Sequence, residues 1–189
     1  MTENELLRDC LERLNASGVA YYLTGSMASN FWGLPRSTHD LDFVVQIRSE
    51  DVPRVVAAFQ KDFFIQESAV RAALAPPYQF NALDQRSSLK VDFWVLTDEP
   101  FPQQMFARRR QETLFGTPAW IASAEDVFLH KLHWDALAPS ERQLRDAAGI
   151  WAVQGQQLDL AYMETWAKTL NVDEVFQRIK RGEIRPKST

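Results

Sequence analysis

Apolar and polar residues follow two different periods along this chain, and these periods predict where helices and strands lie. Apolar side chains recur at helical spacing over residues 3–17, and Gly18 then offers a natural C-terminal stop. Short apolar runs bounded by turn residues predict strands over residues 19–23 and 40–45. Between these two strands, Ser26 can cap a short helix.

Beyond the second strand, the patterns predict strands mixed with helices as far as residue 121, and helices alone from residue 123 onward. The further predicted strands span residues 78–83, 88–96, 112–115 and 119–121. The further predicted helices span residues 50–61, 69–75, 101–110, 124–137, 140–154, 159–170 and 172–181. We therefore expect an α/β (α+β) fold in which a mixed sheet flanked by helices precedes a C-terminal helical region.

The expected domain organisation follows from the point where strands give way to helices. We assign residues 1–122 to a core with an N-terminal helix, 123–181 to a helical region packed on that core, and 182–189 to a basic tail. No linker rich in Gly, Ser or Pro separates the first two parts, so we expect them to share one core.

Composition narrows the classes of protein that remain. Hydrophobic residues make up 46% of the 189 residues, which excludes wholesale disorder. A formal net charge of −4 disfavours a surface built as a whole to bind nucleic acid. Cys10 is the single cysteine, so an internal disulfide is excluded and a reducing, cytoplasmic location is expected. No run approaches the about 18 apolar residues of a membrane span, and the polar N-terminus does not predict a signal peptide.

Two aspartates one residue apart, Asp40 and Asp42, carry the strongest chemical signal. They lie in a predicted strand, where residues i and i+2 project from the same face. Two carboxylates side by side repel each other unless a cation neutralises them. The spacing therefore predicts a divalent metal site on a rigid strand.

Three other features accompany this pair. Gly25-Ser26 stands between a strand and a helix, where backbone N–H groups can bind phosphate. Asp92, in Lys90-Val91-Asp92, places a third carboxylate on a later strand, and Arg36 lies four residues before Asp40. Taken singly, each has a structural alternative: a common turn, a solvent-facing aspartate on an edge strand, and a surface arginine.

Taken together, these motifs resemble those of the nucleotidyltransferase superfamily with a polymerase-beta-like fold. The resemblance rests on Gly-Ser, thirteen intervening residues, Asp-x-Asp on a strand, and one more Asp on a later strand. Lys90-Val91-Asp92 is similar to the second motif of the AbiEii/AbiGii-type toxins, the nucleotidyltransferases of type IV toxin–antitoxin pairs. Those proteins also carry a helical lysine and then an Arg-Asp pair, which Lys131 and Arg145-Asp146 match. Where that family pattern adds a second aspartate, this chain has Gly149.

The resemblance implies an enzyme with a nucleotidyltransferase-type sheet that transfers a nucleoside monophosphate from an NTP, such as ATP, to an acceptor. It assigns metal binding and catalysis to Asp40, Asp42 and Asp92, with two Mg²⁺ ions, or Mn²⁺ in their place. It assigns nucleotide binding to Gly25, Ser26, Arg36, Lys90, Lys131, Arg145 and Asp146. Two divalent ions about 3.5–4 Å apart can clamp the attacking and leaving oxygens of such a reaction. RNA, a protein side chain or a small molecule remain open as the acceptor, and a toxin would have a cognate antitoxin as its partner.

Three other functions stay open from the sequence. Antibiotic-modifying and other small-molecule nucleotidyltransferases have a similar size and motif order. A glycosyltransferase could use an Asp-x-Asp metal site for a nucleotide-sugar, although the Gly-Ser turn and the third aspartate disfavour it. A non-catalytic nucleotide-binding or partner-binding module would keep the fold without turnover, and the intact set of aspartates argues against it.

Overall fold

The computed structural model describes residues 2–186, so Met1 and the last three residues of the predicted basic tail lie outside the described residues. Within that range the chain forms seven strands: β1 (Ala20–Leu23), β2 (Leu41–Gln46), β3 (Phe63–Phe64), β4 (Gln79–Asp84), β5 (Lys90–Val95), β6 (Arg110–Leu114) and β7 (Thr117–Ile121). The same residues form nine α-helices: α1 (Glu3–Ser17), α2 (Gly25–Trp32), α3 (Val52–Phe59), α4 (Glu67–Ala72), α5 (Pro100–Arg108), α6 (Ala124–Leu137), α7 (Glu141–Gln154), α8 (Leu160–Thr169) and α9 (Asp173–Lys180). None of the helices within residues 2–186 is both long and apolar enough to span a bilayer.

The described chain groups into two compact units. The first comprises residues 2–24 and 39–121, and the second comprises residues 25–38 and 122–186. Residues 25–38 therefore group with the C-terminal helices, a grouping that the sequence pattern does not predict. The assignment of domains made from the sequence stays a prediction.

The first unit contains the whole sheet, whose strands follow the order β3-β4-β5-β2-β1-β7-β6. The pairs β1–β7 and β2–β5 are parallel, and the other four pairs are antiparallel. The sheet is therefore mixed, as the sequence predicts. Helices α1 and α3 contact each other, and α1 also contacts β7.

One face of the central strands forms the core of this unit. The ring of Phe93 on β5 stacks on Phe43 of β2 at 5.8 Å between centroids and on Phe80 of β4 at 4.9 Å. Phe59 of α3 packs edge-on against Phe93 at 5.2 Å. Because side chains alternate along a strand, the neighbours of these phenylalanines project from the opposite face. That opposite face carries the acidic side chains described below.

The second unit is built from α2 and α6–α9. The rings of Phe128, Trp151 and Phe176 pack together at its centre, with Phe128 and Phe176 5.3 Å apart between centroids. A Cβ atom on Gly33, just after α2, would lie 2.7 Å from the backbone nitrogen of Ile150 on α7. This close approach explains why glycine follows α2, since any side chain there would force the two segments apart.

Most predicted elements are confirmed, and the differences lie at their ends and in one additional strand, β3. Strand β2 begins at Leu41, so Asp40 precedes the strand by one residue. The helix predicted over residues 101–110 ends at Arg108 because Arg110 already pairs in the β6–β7 hairpin. Strand β3 was not predicted, since two residues carry no measurable period and only their pairing with β4 defines them.

Candidate functional site

The polar face of the sheet in the first unit brings two of the three predicted carboxylates together. Asp42 of β2 and Asp92 of β5 are register partners across a parallel pair of strands. Neighbouring strands lie about 4.8 Å apart, so partner side chains project next to each other from one face. Asp92 is buried and Asp42 is half-buried. Two adjacent carboxylates in partly excluded surroundings favour a cation beside them.

Neighbouring side chains hold the Asp92 carboxylate on both oxygens. Lys90 Nζ lies 2.8 Å from Oδ2, and Asn81 Nδ2 of β4 donates a hydrogen bond to Oδ1 at 3.2 Å. Lys90 and Asp92 share a face because they are two residues apart on β5. Lys90, which is predicted to bind nucleotide, therefore forms an ion pair with Asp92, a predicted metal ligand. Asn81 was not predicted, although its position between buried Phe80 and Ala82 marks it as a polar-face residue.

The third predicted carboxylate is placed differently. Asp40 is exposed and lies one residue before β2. Within residues 2–186, no three His, Cys, Asp or Glu side chains lie close enough together to hold a metal ion. The structure therefore pairs Asp42 with Asp92, and the role of Asp40 as a metal ligand stays a prediction.

Four residues predicted to bind nucleotide meet in one cluster of the second unit: Ser26, Arg36, Lys131 and Asp146. The guanidinium of Arg36 donates to both carboxylate oxygens of Asp146, from Nε to Oδ1 at 2.7 Å and from Nη2 to Oδ2 at 2.9 Å. Arg36 Nη2 also donates to Ser26 Oγ at 2.7 Å, and Lys131 Nζ donates to Asp146 Oδ2 at 2.9 Å. The cluster thus gathers two cations around one carboxylate. We call it the Arg36 cluster.

Local structure holds the members of the Arg36 cluster in place. The side chain of Asn30 on α2 forms two hydrogen bonds with the backbone of Arg36. It donates to the carbonyl at 2.7 Å and accepts from the N–H at 3.1 Å. Gly25, at the start of α2, has a φ of 64°, a conformation that favours glycine. Asn30 is a functional candidate that the sequence reasoning missed, because nothing in the periodicity marks a side chain that orders the following loop.

Electrostatics in the Arg36 cluster keep Asp146 ionised. Burial by itself raises the pKa of this carboxyl, but the hydrogen bond from Arg36 and the charge of Lys131 outweigh burial. The pKa of Asp146 is therefore lowered from its ordinary value. Asp146 carries a negative charge and cannot itself attract a phosphate. In a nucleotide site, Asp146 would therefore orient Arg36 and Lys131.

The neighbouring residue Arg145 lies apart from this cluster. It is exposed on α7 and donates to Glu141 one turn earlier at 2.9 Å. Adjacent helical residues point about 100° apart, so Asp146 can be buried while Arg145 faces solvent. Its predicted role in nucleotide binding stays a prediction.

Gly149 stands where the toxin-like pattern would carry a second aspartate, and packing explains the glycine. A Cβ atom there would lie 3.3 Å from the backbone nitrogen of Leu34. That distance is tighter than ordinary contact, so an aspartate would require Leu34 to move.

Comparison with known proteins supports the fold class. No known family profile matches the chain, and no curated protein sequence matches it. The solution structure of antibiotic-resistance factor ANT(2'')-Ia superposes with a TM-score of 0.60 at 13% identity, covering 95% of this chain and 94% of that one. A crystal structure of ANT(2'')-Ia in complex with adenylyl-2''-tobramycin gives a TM-score of 0.62 at 12% identity over 90% and 98% of the two chains. An antigenic nucleotidyltransferase-like protein from Paracoccidioides brasiliensis gives 0.57 at 13% identity over 98% and 94%.

The chain therefore shares its fold with these solved structures, which include a nucleotidyltransferase-like protein. The predicted fold class, a mixed sheet flanked by helices and followed by C-terminal helices, is confirmed. Identity of 12–13% shows the fold alone. Activity, metal and acceptor therefore have to be argued from the residues of this chain.

Proposed function

We propose that the protein is a metal-dependent nucleotidyltransferase, which transfers a nucleoside monophosphate from an NTP to a nucleophilic acceptor. The observation that carries this proposal is the pairing of Asp42 with Asp92 on neighbouring parallel strands of a nucleotidyltransferase fold. Lys90 already offsets one of these two charges, and two carboxylates side by side are well suited to hold a divalent cation.

The residues of the polar face fit a divalent ion such as Mg²⁺. Carboxylate oxygens are the ligands that Mg²⁺ prefers, and the ion keeps several waters, so few protein ligands suffice. Asp42 and Asp92 would hold it, and Asp40 is the proposed third carboxylate. When bound, such an ion polarises a phosphoryl oxygen and offsets charge on the leaving group.

Side chains of the protein are also proposed for proton transfer and for nucleotide binding. Asp92 is proposed as the carboxylate that accepts the proton of the acceptor, and Asn81 holds its Oδ1 in place. Arg36 and Lys131 offer charged N–H donors of the kind that bind phosphate oxygens, and Ser26 offers a hydroxyl beside Arg36. These three remain the proposed nucleotide contacts together with Gly25, while Asp146 holds the two cations.

The decisive experiment uses calorimetry followed by a labelling assay. Mg²⁺ and each NTP are titrated into the wild-type protein, and the protein is then incubated with α-labelled NTPs and a cell extract. Metal-dependent NTP binding and transfer of label to an acceptor support the proposal. Absence of metal-dependent NTP binding would favour a binding module, and binding of UDP-sugar in place of NTP would favour a glycosyltransferase.

A small-molecule acceptor is the more specific candidate. The structural neighbour ANT(2'')-Ia is described as an antibiotic-resistance factor and was crystallised with an adenylylated tobramycin. The net charge of −4 favours a cationic small molecule over RNA. Labelling of an aminoglycoside such as tobramycin, but not of RNA or protein, would support this acceptor class. Label on RNA or on protein would instead favour the role of a type IV toxin with a cognate antitoxin.

A further inference from the structure

A row of four polar side chains crosses the sheet of the first unit, and two of them, Asn81 and Thr24, lie outside the predicted site. Strand β1 runs antiparallel to β2, with Leu23 opposite Phe43, so the next residue, Thr24, lies opposite Asp42. The N–H of Thr24 donates to the carbonyl of Asp42 at 2.9 Å, which extends the pairing by one residue. Across the strands β4, β5, β2 and β1, the row consists of Asn81, Asp92, Asp42 and Thr24.

Thr24 belongs to the same face as the carboxylates. Opposed residues of an antiparallel pair project to the same side of the sheet, and so do register partners of a parallel pair. Leu23, its neighbour in the chain, lies opposite Phe43 and belongs to the apolar face. Thr24, the residue that follows β1, therefore belongs to the row that contains Asp42 and Asp92.

The hydroxyl of Thr24 lacks a hydrogen-bond partner within residues 2–186, although the residue is only 3% exposed. Asn81 and Asp92, at the other end of the row, hydrogen-bond to each other. A buried hydroxyl without a partner is unfavourable, and valine would fill the same space without that cost. A threonine at this position is therefore best explained by a hydrogen-bond partner that is bound when the protein functions, such as a ligand or an ordered water molecule.

We propose that Thr24 is a positioning residue for the metal site: its hydroxyl hydrogen-bonds to the hydration water of the divalent ion that Asp42 holds. This inference rests on the proposed function, since it takes the ion to bind at Asp42. Magnesium keeps several waters when few protein ligands bind it, and those waters need hydrogen-bond partners. Thr24 meets that need with a buried hydroxyl that has no hydrogen-bond partner within residues 2–186. Side chains that act in this way typically change metal affinity by about 10–100-fold when they are replaced.

The test compares Thr24→Val, which loses the hydroxyl and keeps the shape, with Thr24→Ser, which keeps the hydroxyl. Thr117→Val on β7 is the matched control, because Thr117 is also a buried threonine but lies outside the row. Thermal unfolding is measured on metal-free protein, and binding of Mg²⁺ is measured by calorimetry and of Mn²⁺ by electron paramagnetic resonance. Thr24→Ala removes the same hydroxyl if the valine variant fails to fold.

We expect Thr24→Val to unfold at the wild-type temperature or above, and to bind either ion roughly tenfold more weakly. Thr24→Ser and Thr117→Val should bind the ions as the wild type does. Wild-type affinity in both Thr24→Val and Thr24→Ala would overturn the inference and leave the proposed function standing. A lower unfolding temperature in Thr24→Val with unchanged affinity would show that the hydroxyl is structural. If the wild type binds neither ion, the proposed function falls and this inference falls with it.

Discussion

Asp42 and Asp92 are paired residue for residue across two neighbouring parallel strands, so their carboxylates project side by side from one face of the sheet. The two residues are fifty positions apart in the sequence. Lys90 offers one positive charge to this pair through Asp92. The arrangement leads to two predictions about metal binding, and the Arg36 cluster and α6 lead to two more about stability.

Replacing Asp42 with asparagine should abolish metal-dependent transfer while the protein still folds. The amide keeps the shape of the side chain but removes one of the two charges that would hold the ion. Calorimetry with Mg²⁺ and the labelling assay measure the loss, and thermal unfolding checks the fold. Asp98→Asn, at an exposed loop position, is the matched control and should behave as the wild type does. Full activity in Asp42→Asn would reject the assignment.

Replacing Lys90 with methionine should tighten Mg²⁺ binding about three- to tenfold, because it removes a positive charge next to a metal ligand. Lys61→Met, at an exposed position outside the strands that carry Asp42 and Asp92, controls for the lost surface charge. Titration of Mg²⁺ without nucleotide isolates the effect. If Lys90 instead binds nucleotide, as the sequence predicts, Lys90→Met will weaken NTP binding and leave Mg²⁺ affinity unchanged.

Replacing Asp146 with asparagine should destabilise the second unit by about 3–5 kcal/mol, because it leaves Arg36 and Lys131 without their shared carboxylate. Its lowered pKa also gives a pH signature. The stabilisation is present above the unfolded pKa, near the ordinary value of 3.8, and is lost as pH falls through the lower folded value. Chemical denaturation at several pH values measures both effects, and the exposed Asp173→Asn is the control. Equal stability of Asp146→Asn and wild type at neutral pH would contradict the prediction.

Stability should also rise with pH between about 3 and 6.5 because of His130. Burial, followed by the charge of Lys131, lowers the pKa of His130 from 6.5 to about 3, and Trp134 Nε1 donates to its Nε2 at 2.9 Å. In that range the unfolded chain binds a proton that the folded protein does not, so acid favours unfolding. The stabilisation is complete above pH 6.5 and is lost as pH falls toward 3.

His130→Gln removes the titrating group but keeps an acceptor for Trp134. The free energy of unfolding of this variant should depend less on pH between about 3 and 6.5 than that of the wild type. An unchanged slope in His130→Gln would show that other groups cause the pH dependence.

Much of the fold could be predicted because helix and strand periods are local properties of the sequence. The strands around Tyr22, Val44 and Phe93 and the four C-terminal helices all lie where the apolar spacing places them. Strand β3 could not be predicted, since two residues become a strand only through their partners on β4. The grouping of residues 25–38 with the C-terminal helices also depends on contacts between segments that are distant in sequence.

Some residues of the candidate site could likewise be predicted from the sequence, and others could not. Asp42 and Asp92 could be selected from the sequence, because carboxylates in apolar strands are unusual. Arg36 could be selected only by its place four residues before Asp40, since taken singly it is an ordinary surface arginine. Thr24 and Asn81 could not, since a threonine or asparagine at the end or edge of a strand is commonplace. Their significance comes from the register that puts them in one row with the carboxylates.

The sequence by itself determined the kinds of elements, their order and the residue types able to bind a cation or a phosphate, because these depend on neighbours within a turn or a strand. Only the tertiary structure decided that β2 and β5 are adjacent, and therefore that Asp42 faces Asp92. It also decided that Asp146 is buried against Arg36 while Arg145 beside it faces solvent. The physical reason is that strand register and helix packing are chosen by burial of the whole apolar surface, which no local window of sequence contains.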